Sequence, residues 1–299
     1  MVSAEQQTGE QAFVYHGPRG PAIPLVCDSP HSGTVYPADF NHVVPRAQLR
    51  QGEDTHVDAL WQAAPDVGAT LIAACFPRTY IDPNRTLRDL DPDVIDGEWP
   101  APLSPGEKTR LGKGLIWTRM DPHTPIYDRP LTVAQIQARI DGCYTPYHQA
   151  LGKAVQAHHA AFGAVWHLNL HSMPNDAYAR LGLDPGRELA DFVLGDRDGT
   201  TCEPAFVALV EAFLLGKGYT VARNDPYKGV ELIAQIGQPS RNRHSLQIEI
   251  RRPVYMNEAT RERNEGFSRL QAHLGELLRE VAAYVGRQTG ARPAASGAG

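Results

Sequence analysis

Val165-Trp166-His167-Leu168-Asn169-Leu170-His171 alternates apolar and polar side chains. Successive side chains of a strand point to opposite faces of a sheet, so Trp166, Leu168 and Leu170 share one face while His167, Asn169 and His171 share the other. Three polar groups in a row are costly to bury without partners. The competing reading is a sheet face open to water. Ser172-Met173-Pro174 then ends the run, where a ligand-holding histidine belongs. Leu246-Gln247-Ile248-Glu249-Ile250-Arg251 repeats the pattern. A carboxylate at Glu249, inside a β-branched strand, calls for a cation, a metal or a substrate; otherwise it pairs with Arg251 on an exposed face.

Outward from these two stretches, Ala22–Cys27 and Ala69–Phe76 read as strands, the second apolar enough to be covered on both faces. Ala164–Leu170, Tyr219–Ala222 and Ser245–Arg251 complete the expected strands. Thr55–Ala64 carries Val57, Leu60, Trp61 and Ala64 on one helical stripe. Leu131–Phe162 reads as helix interrupted near Thr145-Pro146, because proline lacks the N–H and clashes with the preceding turn. Pro204–Leu215 is a helix stopped by Gly216 and Gly218, and Glu258–Val285 is a long amphipathic C-terminal helix. Strands alternating with helices predict an α/β sandwich with a largely parallel or mixed sheet. The reading gives one domain over residues 13–287, with frayed polar ends at 1–12 and 288–299. Residues 83–130 hold eight prolines and little periodicity, the mark of a functional segment or an insertion over a site.

The chain has 299 residues with Lys+Arg 29 and Asp+Glu 34, a net charge of −5. So mild an acidity gives no general grip on nucleic acid. No apolar run approaches the ~18 residues of a membrane span, and the first residues lack the basic and apolar regions of a secretory signal. The four cysteines are widely spaced and read as small buried hydrophobes in a reducing cytoplasm. There is no GxSxG, GxGxxG or Walker A run, so serine-hydrolase and nucleotide chemistry lack support.

Asp28-Ser29-Pro30-His31-Ser32-Gly33 follows the first apolar strand directly, and ligands in open α/β sheets collect at the carboxyl ends of strands. His31 and His171 are the best nitrogen ligands for a catalytic metal, which commonly takes three protein ligands and leaves one position to water. The oxygen ligand is expected from Glu53-Asp54-Thr55-His56-Val57-Asp58, a polar cluster opening a helix. HExxH and HxxE spacings are absent.

Six blocks occur in order between about residues 24 and 258: Pro30-His31-Ser32-Gly33, Asp54 to Asp58, Arg78-Thr79-Tyr80-Ile81-Asp82-Pro83-Asn84-Arg85, Leu170-His171-Ser172-Met173, Asn224-Asp225-Pro226-Tyr227-Lys228-Gly229, and Gln247-Ile248-Glu249-Ile250. Together they resemble the N-formylglutamate amidohydrolases (N-formylglutamate deformylases), distant relatives of zinc carboxypeptidases and aspartoacylases. The resemblance implies a three-layer α/β/α sandwich with a mixed, mostly parallel sheet. It implies that His31, Asp54 and His171 hold Zn2+ or another divalent metal, with Glu53 the adjacent rival to Asp54. Glu249 matches the catalytic glutamate that takes a proton from water and delivers it to the leaving amine. Asn84 and Arg85 match the pair expected to hold a substrate carboxylate; of Arg78 and Arg85, one is expected to stabilise the oxyanion and the other to pair with that carboxylate. His244, just ahead of the Glu249 strand, is expected at the pocket.

The implied reaction is metal-assisted hydrolysis of an N-acyl acidic amino acid, such as N-formyl-L-glutamate, to the acid and the free amino acid, as in histidine breakdown. The implied partner is a small molecule, with no nucleic acid and no membrane; the oligomeric state is not readable. A metallo-carboxypeptidase and a metal-binding module without turnover are the alternatives. Val230-Glu231-Leu232 stands where the family often has a second glycine and an aromatic, which bears on the substrate more than on the chemistry. The Pro-rich stretch near 91–125 is expected to reshape the entrance.

Overall fold

A computed structural model describes residues 11–183 and 186–290. Residues 1–10 and 291–299, most of the ends expected to fray, lie outside the described residues. The strands are β1 (Phe13–His16), β2 (Leu25–Ser29), β3 (Thr70–Ala74), β4 (Val165–Met173), β5 (Phe192–Gly195), β6 (Val221–Arg223) and β7 (Arg243–Arg251). They form one seven-stranded sheet in the order β1-β3-β2-β4-β7-β5-β6. β4 runs parallel to β2 and β7, and β5 parallel to β6, while β5 and β7 are antiparallel. The longer helices are α1 (Val133–Arg139), α2 (Thr145–Phe162), α3 (Pro204–Gly216), α4 (Glu231–Ile236) and α5 (Gly266–Thr289). The fold is therefore α/β with a mixed, mostly parallel sheet.

The described residues fall into two compact units, one holding 31–53 and 73–149 with the N-terminal stretch up to Val14, the other holding 15–30, 54–72 and 150 onward. In the second unit, Trp166, Leu168 and Leu170 of β4 join Leu246, Ile248 and Ile250 of β7 in one buried core with Phe206, Val207, Val210 and Leu214 of α3. α5 adds Leu270, Leu274, Leu277, Leu278, Val281 and Val285, a stripe at helical spacing. Fully burying each such side chain contributes about 1.5–3 kcal/mol. The expected alternation along β4 and β7 is thus present: one face belongs to this core, and the other carries His167, Asn169, His171, Gln247 and Glu249, all buried.

In the first unit, residues 83–130 form only a 3-10 turn (Pro92–Val94), a two-residue strand (Ile95–Asp96, paired with Leu131–Thr132) and a short helix (Glu107–Arg110). Order comes from a buried cation. Arg139, 1 % exposed on α1, donates to the carbonyl of Tyr80 at 3.0 Å, the hydroxyl of Tyr127 at 2.6 Å and the carbonyl of Phe40 at 3.3 Å. Its guanidinium lies 4.1 Å from the centre of the Tyr80 ring, a cation–π contact strengthened by desolvation. Main-chain bonds from Asp82 to Leu115 and from Leu115 to Asp89 tie the segment across itself.

Several boundaries differ from the sequence expectation. The helix expected over 55–64 shrinks to Val57–Leu60 followed by a 3-10 turn at Ala64–Val67; His56 enters it with a left-handed backbone (φ 70°) and Pro65 restarts the chain. The break in 131–162 comes one turn before Pro146, as a π turn over Ile140–Tyr144. Wider i→i+5 spacing ends just where proline enters the first turn of α2, where no amide is needed. α5 begins at Gly266 rather than Glu258, because the Asn257 side chain accepts from the amides of Ala259 and Thr260 and Arg261 turns left-handed at φ 63°. At its other end α5 runs on to Thr289. Strands β1 and β5 and helix α4 were not read from the sequence, being too short to show a period. Among the described residues no disulfide forms, Cys27 and Cys202 are buried, and no helix is long and apolar enough to cross a membrane.

Candidate metal centre

His31 stands two residues beyond β2, in a turn that only glycine closes: a Cβ on Gly33 would lie 2.1 Å from the carbonyl oxygen of Phe76. His31 Nε2 lies 2.8 Å from Asp82 Oδ1, both side chains fully buried. Asp82 Oδ1 also accepts from the amide of Asn84 at 2.9 Å. Its Oδ2 accepts from Arg78 Nη2 at 2.8 Å and Nε at 3.1 Å, and from the Trp117 indole at 3.3 Å. Burial alone would push this carboxyl up, but Arg78, His31 and Arg85 together outweigh it and hold Asp82 well below the usual carboxylate range. An ionised Asp82 only accepts, so His31 Nε2 donates to it, and in the neutral ring Nδ1 carries the lone pair. This is the histidine–carboxylate arrangement that orients metal-binding rings.

Asp54 closes the segment before Val57–Leu60 and is fully buried. Its Oδ1 accepts from Ser172 Oγ at 3.1 Å and Arg252 Nη2 at 3.2 Å, and Arg252 Nε donates to Ser172 Oγ at 3.2 Å. Oδ2 is left facing His171 Nδ1 at 3.2 Å. On the other side of that ring, His171 Nε2 lies 2.7 Å from Asn169 Oδ1.

One donor atom each from His31, Asp54 and His171 lie within 4.8 Å of one another. The donor chemistry fits a divalent cation. With Nε2 of His171 turned to Asn169 Oδ1, its Nδ1 and Asp54 Oδ2 face each other at 3.2 Å, a pairing that either a proton or a cation between them satisfies. Donors on a tetrahedral ion with bonds of about 2.0 Å stand about 3.3 Å apart, close to that separation. Two nitrogens and one oxygen also suit a zinc-type site that leaves a coordination position open.

Glu249 of β7 is the register partner of His171 on β4. Neighbouring strands lie about 4.8 Å apart, so the two side chains stand side by side on the polar face. Gln247 Nε2 donates to Glu249 Oε1 at 3.1 Å. Glu53 is absent from the donor cluster: Oε1 accepts from Tyr36 at 2.7 Å and Oε2 from Arg50 at 3.2 Å. Burial, then the Glu53 charge, push the Tyr36 hydroxyl up and keep it a donor. Asn84 is buried beside Asp82, and Arg85 Nε and Nη1 donate to the carbonyls of Lys113 and Asn84 at 3.1 and 3.0 Å. Arg78 lies with its guanidinium 5.0 Å from the Trp117 ring centre.

His244 is not brought to this group. It shares the parity of Leu246, Ile248 and Ile250, stacks on Trp166 at 5.1 Å, and sits five residues before Glu249, about 16 Å along the strand. Its expected place at a pocket gives way to packing on the apolar face. His148 Nε2 donates to the carbonyl of Pro83 at 2.8 Å and its ring stacks on Tyr144 at 4.1 Å, a satisfied structural histidine. Glu231 opens α4 and accepts from Gln235 at 2.5 Å within the same helix.

Asp82, Ser172 and Arg252 carry the second layer of contacts and were not singled out by sequence. The available signals were Asp82 within the Arg78–Arg85 block and Ser172 within the Leu170–Met173 block; nothing local marks Arg252 as the partner of a residue 198 positions away.

Fold and cluster together give an α/β protein with a candidate metal centre. The family model described as N-formylglutamate amidohydrolase matches residues 23–256. The N-formylglutamate deformylase of Pseudomonas aeruginosa is 30% identical over 240 residues, 79% of this chain and 83% of that protein. That of Pseudomonas putida is 26% identical over 242 residues, again 79% and 83%. The crystal structure of N-formylglutamate amidohydrolase from Ralstonia eutropha JMP134 is 66% identical, with a TM-score of 0.91 over 93% of this chain and 99% of that one. The gene product Atu2144 from Agrobacterium tumefaciens shares the fold at a TM-score of 0.60 and 20% identity, over 93% and 96% of the two chains. This chain belongs to the N-formylglutamate amidohydrolase family.

Proposed function

We propose that this protein hydrolyses the amide of an N-acyl acidic amino acid, N-formyl-L-glutamate first among them, as a zinc enzyme of the cytoplasm whose residues 13–287 act as one catalytic unit on a small-molecule substrate, without nucleic-acid or membrane partners. The observation that carries the reading is the convergence of His31, Asp54 and His171 donors within 4.8 Å with Glu249 in register beside His171. The substrate choice is supported by the family and by its deformylase relatives.

His31 and His171 through Nδ1, and Asp54 through Oδ2, would hold the ion. When bound, it supplies a Lewis acid that polarises the amide carbonyl and acidifies water. Glu249 takes a proton from the attacking water and passes it to the departing amine nitrogen, a role worth about 10²–10⁴-fold. Arg78, anchored by Asp82, bears on the carbonyl oxygen as charge develops. Asn84 and Arg85 hold the substrate carboxylate, a planar match for a guanidinium.

The test is formate release from N-formyl-L-glutamate by purified protein of measured metal content, beside N-acetyl-L-glutamate and a panel of short peptides. Turnover of the N-formyl substrate with stoichiometric zinc is expected. Cleavage of the peptides alone would replace the reading with a carboxypeptidase, and metal binding without any turnover would reduce it to a binding module.

A further inference from the structure

The buried polar face of the sheet extends past His171, away from Glu249, through groups that the proposed chemistry leaves unused. Asp28, at 0 % exposure on β2, is the register partner of Asn169 on β4. Asp28 Oδ1 receives both Asn169 Nδ2 at 2.7 Å and His167 Nε2 at 2.8 Å. His167 Nδ1 in turn lies 2.7 Å from Ser245 Oγ on β7. One carboxylate oxygen contacted by two N–H groups is an acceptor, and that fixes everything downstream. The Asn169 amide must turn its NH₂ toward Asp28, so its carbonyl oxygen must face His171. A carbonyl oxygen only accepts, so His171 Nε2 carries a proton, at 2.7 Å, and in the neutral ring the lone pair lies on Nδ1.

We infer that Asn169, oriented by Asp28, is a positioning residue that selects the tautomer of His171 and so the nitrogen presented to the metal. Asp28 holds the Asn169 amide, and His167, itself 2.7 Å from Ser245 Oγ, shares the same carboxylate oxygen. The inference rests on the reading that His171 is a metal ligand. Outer partners of ligating histidines are commonly carboxylates or main-chain carbonyls. Here a neutral amide stands in that place, and its polarity is set one strand further away.

Two measurements test it. In wild-type protein labelled with ¹⁵N-histidine, the His171 ring nitrogens are assigned in the metal-free and zinc-loaded states at mildly alkaline pH. A proton on Nε2 in both states is expected; a proton on Nδ1, or zinc bound through Nε2, would overturn the inference. Zinc affinity is then measured by competition with a chromophoric chelator for wild type, His171→Ala, Asn169→Leu, Asp28→Asn and the Asn169→Leu/Asp28→Asn pair. Asn169→Leu keeps the volume but removes the acceptor, and a loss of about 10–100-fold is expected. Asp28→Asn should weaken zinc in the same direction, with the double variant no weaker than Asn169→Leu alone, since both act through one contact. A folded Asn169→Leu that binds zinc like wild type sinks the inference, as does full additivity of the pair. If wild type binds no zinc, or His171→Ala binds it equally well, the metal reading itself has failed instead. Should the variants not fold, the wild-type spectrum alone decides.

Discussion

His31 and Asp82 are joined by a 2.8 Å contact with both side chains out of solvent, and Asp82 is in turn gripped by Arg78, Trp117 and the amide of Asn84. The aspartate is therefore the junction between a ligand candidate and the segment that carries Arg78, Asn84 and Arg85. Replacing it separates two effects. Asp82→Asn keeps the shape and is expected to lower zinc affinity about 10–100-fold. Asp82→Ala removes the buried carboxylate that His31, Arg78 and Trp117 share and is expected to cost about 3–5 kcal/mol in a urea denaturation series.

Glu249→Gln preserves size and hydrogen-bonding reach but cannot take a proton. We expect zinc content by elemental analysis to match wild type while kcat falls about 10²–10⁴-fold. Wild-type turnover in this variant would remove Glu249 from the proton-transfer role.

Removing a ligand should act on the metal first. His171→Ala is expected to leave the purified protein with zinc well below one per chain and with no formate release. A chelator applied to wild type should produce the same inactive state, reversed by added zinc. Unchanged zinc in His171→Ala would reject the ligand set.

His158 offers a pH test well removed from the ligands. This α2 histidine is buried, its Nε2 3.0 Å from Thr70 Oγ1, and burial lowers its affinity for a proton below the ordinary value. The unfolded chain, with a histidine near 6.5, then binds more protons than the folded one just below that pH. Stability from this site is complete above about pH 6.5 and is lost as pH falls toward the folded value, by at most about 1.4 kcal/mol per pH unit. The urea midpoint of wild type should therefore fall more between about pH 7.5 and about pH 5.5 than that of His158→Gln. Equal slopes would show that His158 charges freely in the folded state.

The apolar stripe of α5 sets the global stability. Leu274→Ala, at a fully buried position in the core, is expected to lower unfolding free energy by about 2–5 kcal/mol while leaving zinc affinity unchanged, read from calorimetry and chelator competition on the same preparations.

Much of this was open to reading in the chain itself. Alternation over 165–171 and 246–251 announced two strands with a polar face, because side-chain parity is a local property. His31 and His171 stood out through their places at strand ends. What stayed hidden depends on chain crossings. Asp82 meets His31 over 51 positions, Arg252 meets Asp54 over 198, and Asp28 meets Asn169 over 141; no window of sequence spans these pairs. His244 misled for the opposite reason: it was close in sequence to Glu249, yet the two are five positions apart along the strand, an odd step, and parity sent it to the other face. The late start of the helix expected over 55–64 followed from a left-handed backbone at His56, a conformation that its residue type does not advertise.

The guanidinium of Arg139, clasped by Tyr80, Phe40 and Tyr127, acts as a rivet at the two ends of an otherwise unpatterned ribbon. Between Leu90 and Trp117, exposed tips of that ribbon can be shortened, lengthened or recoded while the riveted ends stay put. Loop-length variants are therefore best placed in that stretch, where the buried clasp is left intact.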